Sequence, residues 1–303
     1  MTDGPRGVVG AVLTPFGPDG DVDRDLLVAE IDLLAGHCDA LSILGAEVTE
    51  YRALGPQRRR ELLREAIGLV DGRRPVLAGV SAPSLAEIAE LAELAADAGA
   101  TYAQVLLPNR TWGGTPDAGE LVAFTQAVVA ASPLPVVLYH NPGQGSDPAL
   151  EAIVAACAVP GVVAIKDSSR NVSRVLRAVE EIDHAGHARY LGTIQPLLTI
   201  LLAGGSGAMA PPPSTLVGAA MRDAAAAGDL ARAAQLQRLV SIFPAKWSGR
   251  HGLAPTMKAA MAAVGLPLGD PAPPYAPLPP DAARAVTDLV AGWPALDAQL
   301  APS

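Results

Sequence analysis

Two residues at the ends of apolar runs could carry carbonyl chemistry. Lys166 directly follows Val162-Val163-Ala164-Ile165 and precedes Asp167-Ser168-Ser169. A lysine there has two readings. It can snorkel, with its stem on apolar surface and its ammonium in water. Alternatively, it sits in an apolar mouth where desolvation lowers its pKa and leaves a neutral amine able to form a Schiff base with a carbonyl. Only three of the 22 basic residues are lysines (Lys166, Lys246 and Lys258), which inclines the reading towards the second. Tyr139 closes the run Val136-Val137-Leu138, just before His140-Asn141-Pro142. It is either a packed ring with a solvated hydroxyl or a phenol that moves protons beside the lysine.

Such residues need elements to hold them. Short β-type runs recur at Val8–Leu13, Leu41–Leu44, Val76–Gly79, Tyr102–Leu107, Val136–Tyr139, Val162–Ile165, Tyr190–Gly192 and Ala208–Ala210. Stretches with helical periodicity lie between them. In Ser84–Ala98 the residues Leu85, Ile88, Leu91 and Leu94 form one apolar stripe, with a Ser84/Glu87 capping box before it and Gly99 after it. Alternating apolar strands and amphipathic helices predict a parallel sheet covered by helices. Eight such units fit a closed (β/α)₈ TIM barrel over residues 1–228, with 229–303 as a C-terminal helical region packed on it. In that fold, strand C-termini carry the chemistry, which places Tyr139 and Lys166 at one mouth.

Composition removes other function classes. The chain has 303 residues, 50% of them hydrophobic, enough for a sizeable core and against disorder. No apolar run is long enough to span a membrane, and no signal peptide is expected. A net charge of −9 without a basic block argues against nucleic acid. Two cysteines, Cys38 and Cys157, cannot build a disulfide framework, so a soluble, reducing, cytoplasmic setting is expected. His184 and His187 lack a third ligand nearby and read as a solvated helix end. Arg58-Arg59-Arg60 reads as a solvated helix face, and Gly204-Gly205-Ser206-Gly207 as a tight turn.

Seven segments, in order, resemble the dihydrodipicolinate synthase/N-acetylneuraminate lyase family of class I aldolases. They are Gly10–Phe16, Asp19–Asp23, Ala78–Ser81, Tyr139–Pro142, Ile165–Ser169, Gly204–Gly207 and Ala254–Ala260. The resemblance implies a barrel with a helical C-terminal region, assembled as a homo-oligomer (dimer or tetramer). Lys166 would condense with the carbonyl of a small 2-keto acid, and Tyr139 would carry protons. Neither a metal nor an organic cofactor is implied.

The departures from the family bear on substrate. Where its second strand ends G-T-T-G-E, this chain reads Ala46-Glu47-Val48-Thr49-Glu50. The two hydroxyls that hold the keto-acid carboxylate there are lost: Val48 can donate nothing, and a carboxylate at Glu47 would repel that of a substrate. Beyond the fourth strand, Pro108-Asn109-Arg110-Thr111 lacks the family's tyrosine pair, and Arg110 could supply a cation instead. Gln144 replaces the arginine that binds a distal carboxylate in the synthases, which argues against dihydrodipicolinate synthesis itself. Asn141 remains beside the tyrosine. Three readings stay open. The chain is a lyase or dehydratase for an unusual carbonyl, with Glu47 as acid/base. Or it is a sugar-acid aldolase or dehydratase whose cradle is rebuilt from Thr49, Thr193 or backbone N–H groups near Met209; a synthase with a rebuilt carboxylate site belongs beside it. Or it is a barrel that binds a ligand without turning it over.

Overall fold

The computed structural model describes residues 3–110, 113–291 and 293, and over 242–248, Lys246 included, it describes the helix and not the side chains. Thr111, residues 1–2 of the expected barrel, and residues 292 and 294–303 of the expected helical region lie outside the described residues. Eight strands pair in parallel and close in chain order: β1 (Gly7–Ala11), β2 (Ala40–Ile43), β3 (Val76–Gly79), β4 (Tyr102–Leu106), β5 (Val136–His140), β6 (Val162–Asp167), β7 (Arg189–Gly192) and β8 (Gly207–Ala210). Around them lie α1 (Arg24–His37), α2 (Pro56–Val70), α3 (Leu85–Asp97), α4 (Ala118–Ala131), α5 (Leu150–Cys157), α6 (Val172–Ala178), α7 (Leu197–Leu202) and α8 (Ser214–Ala226). Then follow α9 (Leu230–His251), α10 (Leu253–Ala263) and α11 (Pro280–Ala291). The TIM barrel is as the alternation of periods predicts. At α3, the Ser84 hydroxyl accepts from Glu87 N–H at 3.2 Å, and Gly99 takes the left-handed conformation after the helix (φ 95°).

Strand periodicity of two sets the interior. One side chain from each strand fills the lower barrel: Val9, Ala40, Leu77, Tyr102, Val137, Ala164, Leu191 and Met209 form a single buried cluster. The next inward positions, two residues on, are Ala11, Ser42, Gly79, Gln104, Tyr139, Lys166, Thr193 and Pro211. Half of this layer is sealed by polar contacts. Ser42 donates to Gln104 Oε1 at 2.8 Å, and Gln104 Nε2 donates to the Gly45 carbonyl at 2.8 Å. The other half, between β5 and β1, is hollow. The β1–β8 seam needs Gly207, because a Cβ there would collide with the Gly7 carbonyl and its φ of 141° suits no other residue.

Two strands run further than their apolar residues suggest. β5 reaches His140 and β6 reaches Asp167, because Tyr139 pairs with Lys166 and His140 with Asp167 across the ladder. The reading of Arg58-Arg59-Arg60 as a solvated face needs correcting at its centre. Arg59 donates to the Gly79 and Ser81 carbonyls at 3.0 and 2.9 Å and lies 4.7 Å from the Tyr51 ring centroid. It closes the C-terminal end of β3, where those carbonyls would otherwise face no donor.

A buried ion pair fastens the segment after α10 to the barrel. Lys258 Nζ lies 2.8 Å from Glu50 Oε2 and donates to the Asp270 carbonyl at 2.8 Å, while Glu50 Oε1 accepts from Ala272 N–H at 2.7 Å. The ammonium also sits 4.5 Å from the Phe16 ring centroid. Close by, Glu30 accepts from Leu13 N–H at 2.8 Å, and complete burial raises its carboxyl well above the usual carboxylate range.

Candidate functional site

A cavity of about 480 Å³ opens above the hollow half of the layer, at the C-terminal ends of the strands. Its walls include Lys166, Tyr139, Asn141, Glu47, Val48, Thr193 and Met209. So seven of the residues singled out by sequence converge. Three do not. Thr49 is fully buried, with its hydroxyl donating to the Ala46 carbonyl at 2.7 Å. Gln144 is off the wall, and its backbone carbonyl accepts from Asn109 Nδ2 at 2.7 Å. Arg110 forks onto Glu120 at 2.7–3.1 Å and lies 3.5 Å from Asp117, so its charge is spent on the start of α4.

Lys166 and Tyr139 are register partners on adjacent strands, and Lys166 Nζ stands 4.1 Å from the Tyr139 ring centroid. Burial strips water from the amine and lowers its pKa from 10.5 to about 7; Asp167 and Glu47 oppose the drop and Arg170 adds to it. Burial pushes the Tyr139 phenol up to about 12, against the hydrogen bonds of Ser168 and Asn141. Asn141 Nδ2 donates to the phenol oxygen at 3.0 Å. Ser168 was not singled out by sequence, yet its hydroxyl accepts from Lys166 Nζ and also bears on Tyr139. One hydroxyl therefore links amine and phenol.

Glu47 is not a bare charge. Its carboxylate accepts from Arg52 Nε at 2.9 Å and from the Tyr51 hydroxyl at 3.0 Å. On the opposite wall, the side-chain oxygens of Thr193 and Ser214 are buried and have no hydrogen-bond partner among the described residues.

Behind the two strand ends lies a second polar group that sequence reasoning missed. His140 Nδ1 is 2.7 Å from Asp167 Oδ1, which also accepts from Ser169 N–H at 2.8 Å, and Tyr190 donates to Asp167 Oδ2 at 2.9 Å. Burial alone would raise the Asp167 carboxyl; His140, Ser169 and Tyr190 outweigh it and hold it below its usual value. An ionised Asp167 accepts only, so His140 Nδ1 carries the proton. The signal was available: residues 140, 167 and 190 all face outward by alternation, on three consecutive strands. Among the described residues, no three of His, Cys, Asp and Glu gather as a metal site requires, and no helix is long and apolar enough to cross a membrane.

Comparison with known proteins bears on this arrangement. A model of the dihydrodipicolinate synthetase family matches residues 4–292. The 4-hydroxy-tetrahydrodipicolinate synthase of Xylella fastidiosa (strain Temecula1) is 34% identical over 203 residues, 66% of this chain and 66% of the relative. The aligned part thus spans just under two thirds of that protein's length. YagE, a prophage protein of the dihydrodipicolinic acid synthase family from E. coli K12 solved in complex with pyruvate, superposes with a TM-score of 0.85 at 26% identity, covering 94% of this chain and 97% of its own. A dihydrodipicolinate synthase from Bacillus anthracis gives 0.86 at 22% identity, with 97% and 100% covered, and speaks for the fold. The chain belongs to the dihydrodipicolinate synthetase family.

Proposed function

We propose that this chain is a Schiff-base-forming lyase, an aldolase or dehydratase of class I type, acting on a small 2-keto acid or sugar-acid-derived carbonyl. The observation that carries the reading is a buried amine, its pKa lowered to about 7, standing over a closed barrel floor beside a protonated phenol. At neutral pH about half of such amines are uncharged and nucleophilic. Lys166 Nζ attacks the carbonyl carbon, and the carbonyl oxygen takes a proton from Tyr139 through its hydrogen-bonded neighbours. Loss of that oxygen as water leaves a protonated imine. In the lyase direction, the hydroxyl on the carbon beyond gives up its proton to the Tyr139 phenolate. The carbon–carbon bond then breaks, its electron pair flows to the imine nitrogen, and an aldehyde departs from an enamine. In the dehydratase direction a proton is lost and the hydroxyl leaves as water instead. Ser168, touching both groups, supplies the relay that the family's threonines would give.

The carboxylate of the keto acid finds no donor at Val48. Its place is the wall formed by Thr193 and Ser214, where unpartnered hydroxyls can turn inward by rotation about χ1. Glu47, neutralised by Arg52, does not bar an anion. Gln144 lies away from the wall, which favours a reaction other than the synthesis for which the relatives are named.

Borohydride reduction in the presence of pyruvate, followed by peptide mass analysis, tests the reading. An adduct on Lys166 is expected. Saturable pyruvate binding with no adduct at any pH would instead favour a barrel that holds its ligand without chemistry. The trapping rate should rise with pH through about 7, because the amine is protonated below that value and free above it. A rate flat from pH 6 to 9 would remove Lys166 as the titrating nucleophile. Tyr139→Phe should lower turnover by roughly 10²–10⁴-fold while an adduct still forms. Unchanged turnover in that variant would end the proton-carrier role.

A further inference from the structure

We propose that Arg170 selects substrates bearing a second anionic group, a carboxylate or a phosphate, distal to the carbonyl that meets Lys166. The proposal rests on the Schiff-base reading and adds a substrate class to it.

Among the described residues, four charged ones line the cavity: Lys166 and Glu47 within it, and Asp147 and Arg170 exposed at its rim. Both carboxylates are already answered. Glu47 lies 2.9 Å from Arg52, and Asp147 lies 3.4 Å from Arg174. Arg170 makes no ion pair and no side-chain hydrogen bond with another described residue. With the carboxylates offset, the charge left over in the mouth is a guanidinium. A guanidinium offers a planar fork of donors that suits carboxylate or phosphate oxygens. Arg110 and position 144, where sequence looked for such a cation, are off the cavity wall.

The loop that carries Arg170 is anchored on both sides. Ser168 N–H donates to the His140 carbonyl at 2.9 Å, Ser169 N–H to Asp167 at 2.8 Å, and Asn171 accepts from Arg174 N–H at 3.1 Å. Arg170 therefore projects from a fixed backbone four residues beyond the reacting amine. Its charge reaches that amine and the phenol, lowering the pKa of both. An anion seated on Arg170 would cancel this repulsion. The cavity also has room to spare: about 480 Å³ corresponds to about sixteen waters at roughly 30 Å³ each. A three-carbon keto acid would leave most of it empty.

The experiment measures half-saturation for borohydride trapping on Lys166 with two matched pairs of probes, and with pyruvate as reference. One pair is 2-oxoglutarate against 2-oxopentanoate. The other is 2-keto-3-deoxy-6-phosphogluconate against 2-keto-3-deoxygluconate. The intact protein is expected to prefer the anionic member of at least one pair by about tenfold or more, the scale of a charge-assisted hydrogen bond. The preferred pair identifies carboxylate or phosphate. Arg170→Gln should bring that ratio close to one, and Arg170→Lys should retain part of it. Ratios near one in the intact protein, or a preference that survives Arg170→Gln, would overturn the proposal while leaving the imine in place. Failure of every probe, pyruvate included, would overturn the imine and this proposal together.

Discussion

Lys166→Met is expected to abolish pyruvate adduct formation and to lower turnover on the order of 10⁶-fold, the scale reached when a covalent nucleophile is removed. The variant should nevertheless be more stable than its parent in mild acid. In the unfolded chain the amine keeps its proton up to about 10.5; in the fold it releases the proton near 7. Between those values the unfolded state binds more protons, so stability rises with pH. The cost of burying the ammonium is felt in full below pH 7 and is gone above about 10.5. Methionine fills the same space without a charge. Thermal unfolding at pH 6 should therefore show a higher Tm for Lys166→Met, and at pH 10.5 the two curves should converge. A variant less stable at pH 6 would mean that the amine is not buried against its preference, and the argument for its reactivity would fall with it.

The second large effect is structural. Lys258→Met leaves the Glu50 carboxylate buried without its cation, and a loss of about 3–5 kcal/mol is expected on that account. The Asp270 carbonyl loses a donor as well. Because Glu50 also accepts from Ala272 N–H, the segment after α10 should loosen with it. Denaturant unfolding measures the loss, and hydrogen exchange at Ala272 reports the loosening. Replacing both partners, as Lys258→Met with Glu50→Gln, should recover a substantial part, since no charge is then stranded. If the double variant is as weak as the single one, the energy resides in packing around Phe16 and not in the pair.

Much of the site was legible because a strand has a period of two. Once Val137 and Ala164 are taken as inward, Tyr139 and Lys166 follow, and the matched segment Ile165–Ser169 marks the amine. Other features depend on contacts that no periodicity announces. Glu47 looked repulsive until a short 3₁₀ turn brought Tyr51 and Arg52 back onto its carboxylate. Arg110 looked available until Glu120, ten residues on and itself half of the capping box with Asp117 at α4, captured it. Ser168 reaches Lys166 only because β6 runs on through Asp167 and the chain then turns. His140, Asp167 and Tyr190 lie on outward faces, where alternation places them, but their mutual hydrogen bonds needed the barrel's register. Arg59 shows the opposite case: a charge on a helix that spends itself on backbone carbonyls at a strand end.

The eight-residue plug beneath Lys166 has a kinetic consequence. It closes the cavity from below, so the described residues leave it open at the C-terminal ends of the strands. In the proposed reaction, whatever is released on the mouth side of the enamine would clear that opening before anything held by the lysine could follow. For the aldolase chemistry proposed above, the aldehyde is expected to leave first and the keto acid last, and in the reverse direction the keto acid is expected to enter first. An ordered sequence of this kind gives product inhibition in which the keto acid competes with the substrate and the aldehyde does not.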